Sequence, residues 1–174
     1  MLKPLITAER IASRIDELAK KIREDFGDEE IILVGVLKGS IFFLADLSRQ
    51  LGENVVIDVV QVSSYGAEKS SSGVVQIRKD LDINIEGRNV LVVEDIIDTG
   101  LTLSHLMDLW STRKPKKLTA VTLLSKPEAR THNTPVEYVG FEIPNHFVVG
   151  YGLDHAERYR NLPYVAQLIE DSPV

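Results

Sequence analysis

The sequence predicts an α/β fold with a mostly parallel central sheet flanked by helices. Three apolar runs, Ile31–Leu37 (IILVGVL), Asn89–Glu94 (NVLVVE) and Lys117–Leu124 (KLTAVTLL), show little polar/apolar alternation, the pattern of strands covered on both faces. Segments of helical periodicity lie between them, and strands alternating with helices build parallel sheets. No linker, internal repeat or low-complexity tract divides the 174 residues, so one domain over 1–174 is expected. A chain of this length buries about 70% of its unfolded surface and needs no staples.

The elements follow in order. Thr7 is placed to cap a first helix in which Ile11, Ile15, Leu18 and Ile22 recur at spacings of three and four, and Gly27 ends it. The buried strand Ile31–Leu37 runs into a Lys38-Gly39-Ser40 turn, and Ile41–Leu51 reads as a helix. Val55–Val62 (VVIDVVQV) is a strand. The polar Ser64–Gly73 is long for a connection, so it is either a mobile lid or a disordered excursion. A mobile loop is expected over about 64–77, although Val74–Ile77 itself resumes a strand pattern. Asn89–Glu94 is a buried strand, Gly100–Arg113 a helix with Met107 and Trp110 as core or subunit contacts, and Lys117–Leu124 a strand. Val136–Gly140 and Phe147–Tyr151 are shorter strands before a mixed C-terminal segment.

Composition excludes several function classes. Twenty Lys+Arg against 26 Asp+Glu leave a charge of −6, which argues against duplex nucleic-acid binding, since that wants a basic domain. The chain has no cysteine, so a disulfide scaffold, a zinc ribbon and a thiol nucleophile are all excluded. The charged N-terminus lacks a signal-peptide core, and no apolar run reaches the roughly 20 residues that span a bilayer. A cytoplasmic protein without membrane partners is expected. The four histidines are scattered without ligand spacing and are assigned no metal.

The chemistry is concentrated in Val90–Ser104, VLVVEDIIDTGLTLS. An apolar strand meets the adjacent carboxylates Glu94 and Asp95, then a short Asp98-Thr99-Gly100-Leu101-Thr102 turn opens a helix. Ligands of parallel sheets bind beyond the strands' carboxyl ends. A glycine turn at a helix start aims N–H groups and the dipole at one point, a site for a phosphate monoester, with Thr99 and Thr102 as further donors. Neither a Walker P-loop nor a G-x-G-x-x-G fingerprint is present. Two carboxylates beside a phosphate make sense if they hold hydroxyls or a hard cation such as Mg²⁺. Phosphate, vicinal hydroxyls and magnesium together describe a sugar phosphate.

The string VVEDIIDTGLTL resembles the phosphoribosyl-diphosphate motif of the type I phosphoribosyltransferases, and most of the chain is similar to the hypoxanthine–guanine phosphoribosyltransferases of bacterial type. Leu37-Lys38-Gly39-Ser40 resembles that family's diphosphate loop, Ser64-Tyr65-Gly66 the start of its flexible catalytic loop, and Lys126 its purine-oxygen donor. Val139–Tyr151, with Leu153-Asp154 and Arg160, resembles the base-binding hood and the diphosphate end. The resemblance implies a type I phosphoribosyltransferase fold, with N- and C-terminal segments forming a small hood. It implies transfer of phosphoribosyl from phosphoribosyl diphosphate to hypoxanthine, and to guanine, with Mg²⁺.

In that frame Asp98 is the acid–base group at purine N7. Glu94 and Asp95 hold the ribose hydroxyls directly or through Mg²⁺, and Asp98, Thr99, Gly100, Leu101 and Thr102 cradle the 5′-phosphate, Ile96 lying beside them. Leu37, Lys38, Gly39 and Arg160 attend the diphosphate, with Asp154 near a second magnesium. Lys126 reads O6, Phe147 stacks on the base, Val148 reads its edge, and Ser64 and Tyr65 close over the site. A cis peptide is common in the family's diphosphate loop. Relatives are usually dimers or tetramers, so a homodimer or homotetramer is expected. Two alternatives stay open: a transcription regulator retaining the motif, which should carry a basic face, and an enzyme of the same fold taking xanthine, adenine or a pyrimidine.

Overall fold

The computed structural model describes residues 1–65 and 74–169. β1 (Leu2–Ile6) leads into α1 (Ala8–Phe26), which Thr7 caps by accepting the Arg10 N–H at 3.2 Å. Gly27, at φ +60°, closes α1 by donating to the Arg23 carbonyl at 2.7 Å. β2 (Ile31–Leu37), α2 (Ile41–Leu51), β3 (Val55–Tyr65) and β4 (Val74–Lys79) follow. After them come β5 (Asn89–Ile97), α3 (Leu101–Ser111), β6 (Lys117–Ser125) and a 3₁₀ turn over Pro127–Ala129. β7 (Tyr138–Glu142), β8 (Val148–Val149) and β9 (Val165–Leu168) complete the order.

The central sheet has six strands in the order β4-β3-β2-β5-β6-β7, parallel except for β4 at one edge. Alternation along β2 shows why its sequence is apolar throughout. Ile31 and Leu33 pack with residues of α1 and α2, whereas Ile32, Val34 and Val36 pack with Leu103, Leu106 and Trp110 of α3. The expected core role of Trp110 is realised: its ring is fully buried. β1, β9 and β8 form a second, three-stranded antiparallel sheet from the two ends of the chain.

Chain order places the functional crevice. From β2 the chain steps to β3 and β4, then returns to the opposite side of β2 as β5. The loops leaving β2 and β5 therefore diverge, and their carboxyl ends frame a gap at the topological switch point.

Several expectations need correction. The loop expected over 64–77 is paired strand at both ends, with Ser64 opposite Val75 and Tyr65 opposite Val74. Antiparallel pairing satisfies these backbones whatever their side chains, so polar composition hid the hairpin arms; residues 66–73 lie outside the described residues. β5 continues past Glu94 to Ile97 because its ladder with β6 does, Ile97 lying opposite Ser125. The strand expected over Phe147–Tyr151 shrinks to Val148–Val149, since Gly150 and Leu153 pair across a tight turn. Gly100 caps α3 rather than joining it, and β7 runs from Tyr138 to Glu142. β1 and β9 were not anticipated: each is short and finds its partner at the other end of the sequence. Among the described residues, no helix is long and apolar enough to cross a membrane.

One buried carboxylate fastens the route from β4 to β5. Asp58 accepts the N–H groups of Asp82 at 2.9 Å and Ile83 at 3.0 Å, with Lys79 Nζ 3.8 Å away. Asp58→Ala strands those donors, and a loss of about 2–3 kcal/mol in urea unfolding is expected. An unchanged midpoint contradicts this role.

Candidate active site

The gap at the switch point is a cavity of about 270 Å³. It gathers Leu37, Gly39, Glu94, Asp95, Ile96, Asp98, Thr99, Gly100, Leu101 and Thr102 from among the residues expected at the site. Gly100 takes φ +84°, the left-handed conformation that turns the chain from β5 into α3. A Cβ there would lie 2.9 Å from the His132 carbonyl oxygen. The turn is braced from outside: the Thr99 carbonyl accepts the N–H groups of Thr131 at 3.0 Å and His132 at 2.9 Å. The opening residues of α3, Leu101, Thr102 and Leu103, line the cavity, and the first N–H groups of a helix have no partner within it. Thr99 Oγ1 accepts the Leu101 N–H at 3.3 Å.

The diphosphate-type loop crosses the cavity from β2, and its Leu37–Lys38 peptide is cis, as the resemblance implies. Its approach to β5 is so close that a Cβ on Gly39 would sit 1.8 Å from Asp95 Oδ2. Gly152, at φ +100°, lies equally close on the other side, its Cβ position 1.9 Å from the Gly39 carbonyl oxygen. Only glycine fits at either point.

The acidic pair is enclosed. Burial pushes the Glu94 carboxyl well above its usual range, and the charge of Asp95 adds to the shift. Burial likewise raises Asp95 to about 6, opposed by the Ile96 N–H, donated at 2.7 Å, and by the charge of Arg160. Two such oxygen donors at one strand end suit a hard cation or sugar hydroxyls. Among the described residues no group of three or more Asp, Glu, His or Cys is arranged to hold a metal.

The cations are already paired. Lys126 is buried, and its Nζ lies 3.3 Å from Asp98 Oδ1. Lys38 Nζ meets Glu157 Oε2 at 2.7 Å. The Arg160 guanidinium reaches Asp154 Oδ1 at 3.1 Å, Glu157 Oε1 at 3.2 Å and the Gly152 carbonyl at 2.7 Å. Asp154 Oδ2 also accepts the Glu157 N–H at 2.9 Å. Lys38 first, then Arg160, hold the Glu157 carboxyl below its usual range.

Of the expected site residues, Lys38, Lys126, Phe147, Val148, Asp154 and Arg160 do not line this cavity. Phe147 is half exposed and meets the His155 ring edge-on, at 5.5 Å between centroids, while Val148 is buried in β8. Ser64 and Tyr65 end β3; their side chains, and the loop beyond them, lie outside the described residues. Sequence reasoning missed the apolar lining by Val36, Val62 and Leu103, the Thr131–His132 brace, and Glu157. Val36 and Leu103 were legible as residues next to the motif. Nothing in the polar run HAERYR singles out Glu157.

A helix start and basic loop for phosphate, with a carboxylate pair between them for hydroxyls or a cation, define an α/β protein that handles a sugar phosphate. Residues 5–156 match the phosphoribosyl transferase domain family, and the chain belongs to that family. It is 50% identical over 170 residues to the hypoxanthine-guanine phosphoribosyltransferase of Mycobacterium avium, covering 94% of this chain and 84% of that one. It is 48% identical over 167 residues to the hypoxanthine phosphoribosyltransferase of Escherichia coli K12, covering 95% and 94%. A crystal structure of a Bacillus anthracis hypoxanthine-guanine phosphoribosyltransferase, holding HEPES in its active site, superposes with a TM-score of 0.93 at 50% identity, covering 97% of this chain and all of that one.

The acidic pair makes a signed prediction. Both carboxyls are raised in the fold, so the folded chain holds more protons than the unfolded one, and stability falls as pH rises through about 4 to 6 and beyond. Glu94→Gln removes part of that penalty. The ligand-free variant should melt about 3–6 °C above the parent at pH 8, with a smaller gain at pH 5. Equal melting temperatures at pH 8 contradict the assignment.

Proposed function

We propose that this chain transfers the 5-phosphoribosyl group from phosphoribosyl diphosphate to N9 of hypoxanthine, and of guanine, releasing diphosphate and IMP or GMP. That makes it a purine-salvage glycosyltransferase, a reading its similarity to proteins named hypoxanthine-guanine and hypoxanthine phosphoribosyltransferase supports. The observation that carries the reading is the Asp98–Lys126 pair at the mouth of the phosphate turn, 3.3 Å between Nζ and Oδ1. One group handles a purine proton and the other donates to a 6-oxo oxygen, and each stands one residue past the end of one of two neighbouring parallel strands.

The α3 start binds the 5′-phosphate, with the Thr99 and Thr102 hydroxyls beside it. Glu94 and Asp95 hold the ribose 2′- and 3′-hydroxyls and the cation. Magnesium, when bound to that pair, neutralises charge on the sugar diphosphate. Lys38 and Arg160 stand over the diphosphate as it leaves C1, and preorganised charge of this kind acts on the transition state. The C1–O bond breaks as the N9–C1 bond forms with inversion. Asp98 manages the proton at purine N7, a positioned transfer worth about 10²–10⁴-fold.

Lys126 donates to O6. Adenine presents an amino group there, a donor set against the buried Lys126 ammonium, which disfavours it. Phe147 stacks on the purine and the Val148 backbone reads its edge. Ser64, Tyr65 and the following loop close the site against water. Asp154 is the third acidic group assigned to magnesium; in the free chain it aims Arg160. The enzyme is proposed to work in the cytoplasm as a single domain, the β1-β9-β8 sheet forming its hood. Exposed Ile41 and Phe42 on α2 and Ile57 on β3 support a homodimer or homotetramer.

Asp98→Asn tests the mechanism. The carboxamide keeps the cradle but loses the proton acceptor, so kcat for IMP formation should fall about 10-fold or more while phosphoribosyl diphosphate still binds. An unchanged kcat removes Asp98 from the chemistry.

A further inference from the structure

We infer that Glu157 is a displaceable counter-anion for the diphosphate subsite, and that it sets which phosphate ligands the site admits. The inference rests on the phosphoribosyl-transfer reading, which assigns Lys38 and Arg160 to diphosphate. Those cations come from loops far apart in sequence, and one carboxylate bridges them: Oε2 to Lys38 at 2.7 Å and Oε1 to Arg160 at 3.2 Å. Its oxygens stand where two phosphoryl oxygens would satisfy the same donors.

Two further observations separate Glu157 from a structural ion pair. Its side chain is 64% exposed, and ion pairs in that setting are weak and readily exchanged. Its backbone, by contrast, is held. Ala156, Glu157 and Tyr159 take φ of +51°, +64° and +77°, left-handed values uncommon for such residues. The Glu157 N–H is tied to Asp154 Oδ2 at 2.9 Å, and His155 and Arg158 exchange backbone hydrogen bonds at 3.1 and 3.0 Å. The turn thus presents a loosely bound carboxylate from a fixed position, while Asp154 stays with Arg160 at 3.1 Å.

Selectivity follows from charge. A diphosphate carries enough charge over two phosphoryl groups to replace both contacts of Glu157. Orthophosphate can span both cations as the carboxylate does, but it brings less charge than a diphosphate with which to displace an anion already seated between them. Glu157 therefore lets a diphosphate in and keeps a single phosphate weak.

The test titrates orthophosphate and magnesium diphosphate calorimetrically into the parent chain, Glu157→Gln and Glu157→Ala, and compares the KM for phosphoribosyl diphosphate. Both variants should bind orthophosphate about 5–10-fold more tightly and diphosphate about 3-fold more tightly, with a lower KM for phosphoribosyl diphosphate. The sign discriminates: if Glu157 merely props Lys38 and Arg160 in place, the same variants bind both anions more weakly. Weaker or unchanged binding overturns the inference. A parent chain that binds no diphosphate and makes no nucleotide overturns the phosphoribosyl-transfer reading instead, and the wild-type titration reveals that separately.

Discussion

The Asp95 carboxylate and the backbone of Gly152 close on Gly39 from two sides with no room for a side chain between them. The Gly39 Cβ position overlaps Asp95 Oδ2 at 1.8 Å, and that of Gly152 overlaps the Gly39 carbonyl at 1.9 Å. This close approach packs the end of β5, the loop after β2 and the loop after β8 into one frame. The remaining assigned groups depend on it. The phosphate turn is the continuation of β5, Lys38 is the neighbour of Gly39, and Arg160 is tied through its guanidinium to the Gly152 carbonyl at 2.7 Å.

The frame forces two carboxylates into a poorly hydrated place, and this is a stability penalty held at a functional site. Around it the cations are neutralised locally: Lys126 by Asp98, Lys38 by Glu157, Arg160 by Asp154 and Glu157. A free chain of charge −6 can thus keep a site for polyanions without leaving unpaired cations there. On the proposed reading, ligand binding exchanges these internal partners for phosphate, hydroxyl and purine oxygen. Affinity then reports the difference between two well-matched states, so single charge changes can strengthen binding as well as weaken it.

Much of this was legible in the sequence, for physical reasons. Strands buried on both faces leave unbroken apolar runs, so β2, β5 and β6 were visible, and Thr7 and Gly27 marked both ends of α1. The phosphate turn is local in sequence, and its residues line one cavity. Long-range pairing left weaker marks. β1 and β9 are short, and β1 is a strand only because β9, from the other end of the chain, lies beside it. Glu157 was invisible for a similar reason: its partner Lys38 is distant in sequence, and its left-handed backbone is not a glycine's. The polar arms around residues 64–77 misled because composition reports solvation, whereas a hairpin ladder is satisfied by backbone alone.

The most direct measurement mixes the purified protein with Mg²⁺ and phosphoribosyl diphosphate, then adds hypoxanthine, guanine, xanthine and adenine separately and assays nucleotide. Formation of IMP and GMP without AMP is the predicted result, because on the proposed reading the buried Lys126 donates to O6 of a 6-oxopurine and meets a second donor in adenine. AMP in comparable amounts would contradict the role given to Lys126, and no nucleotide from any base would contradict the transferase itself.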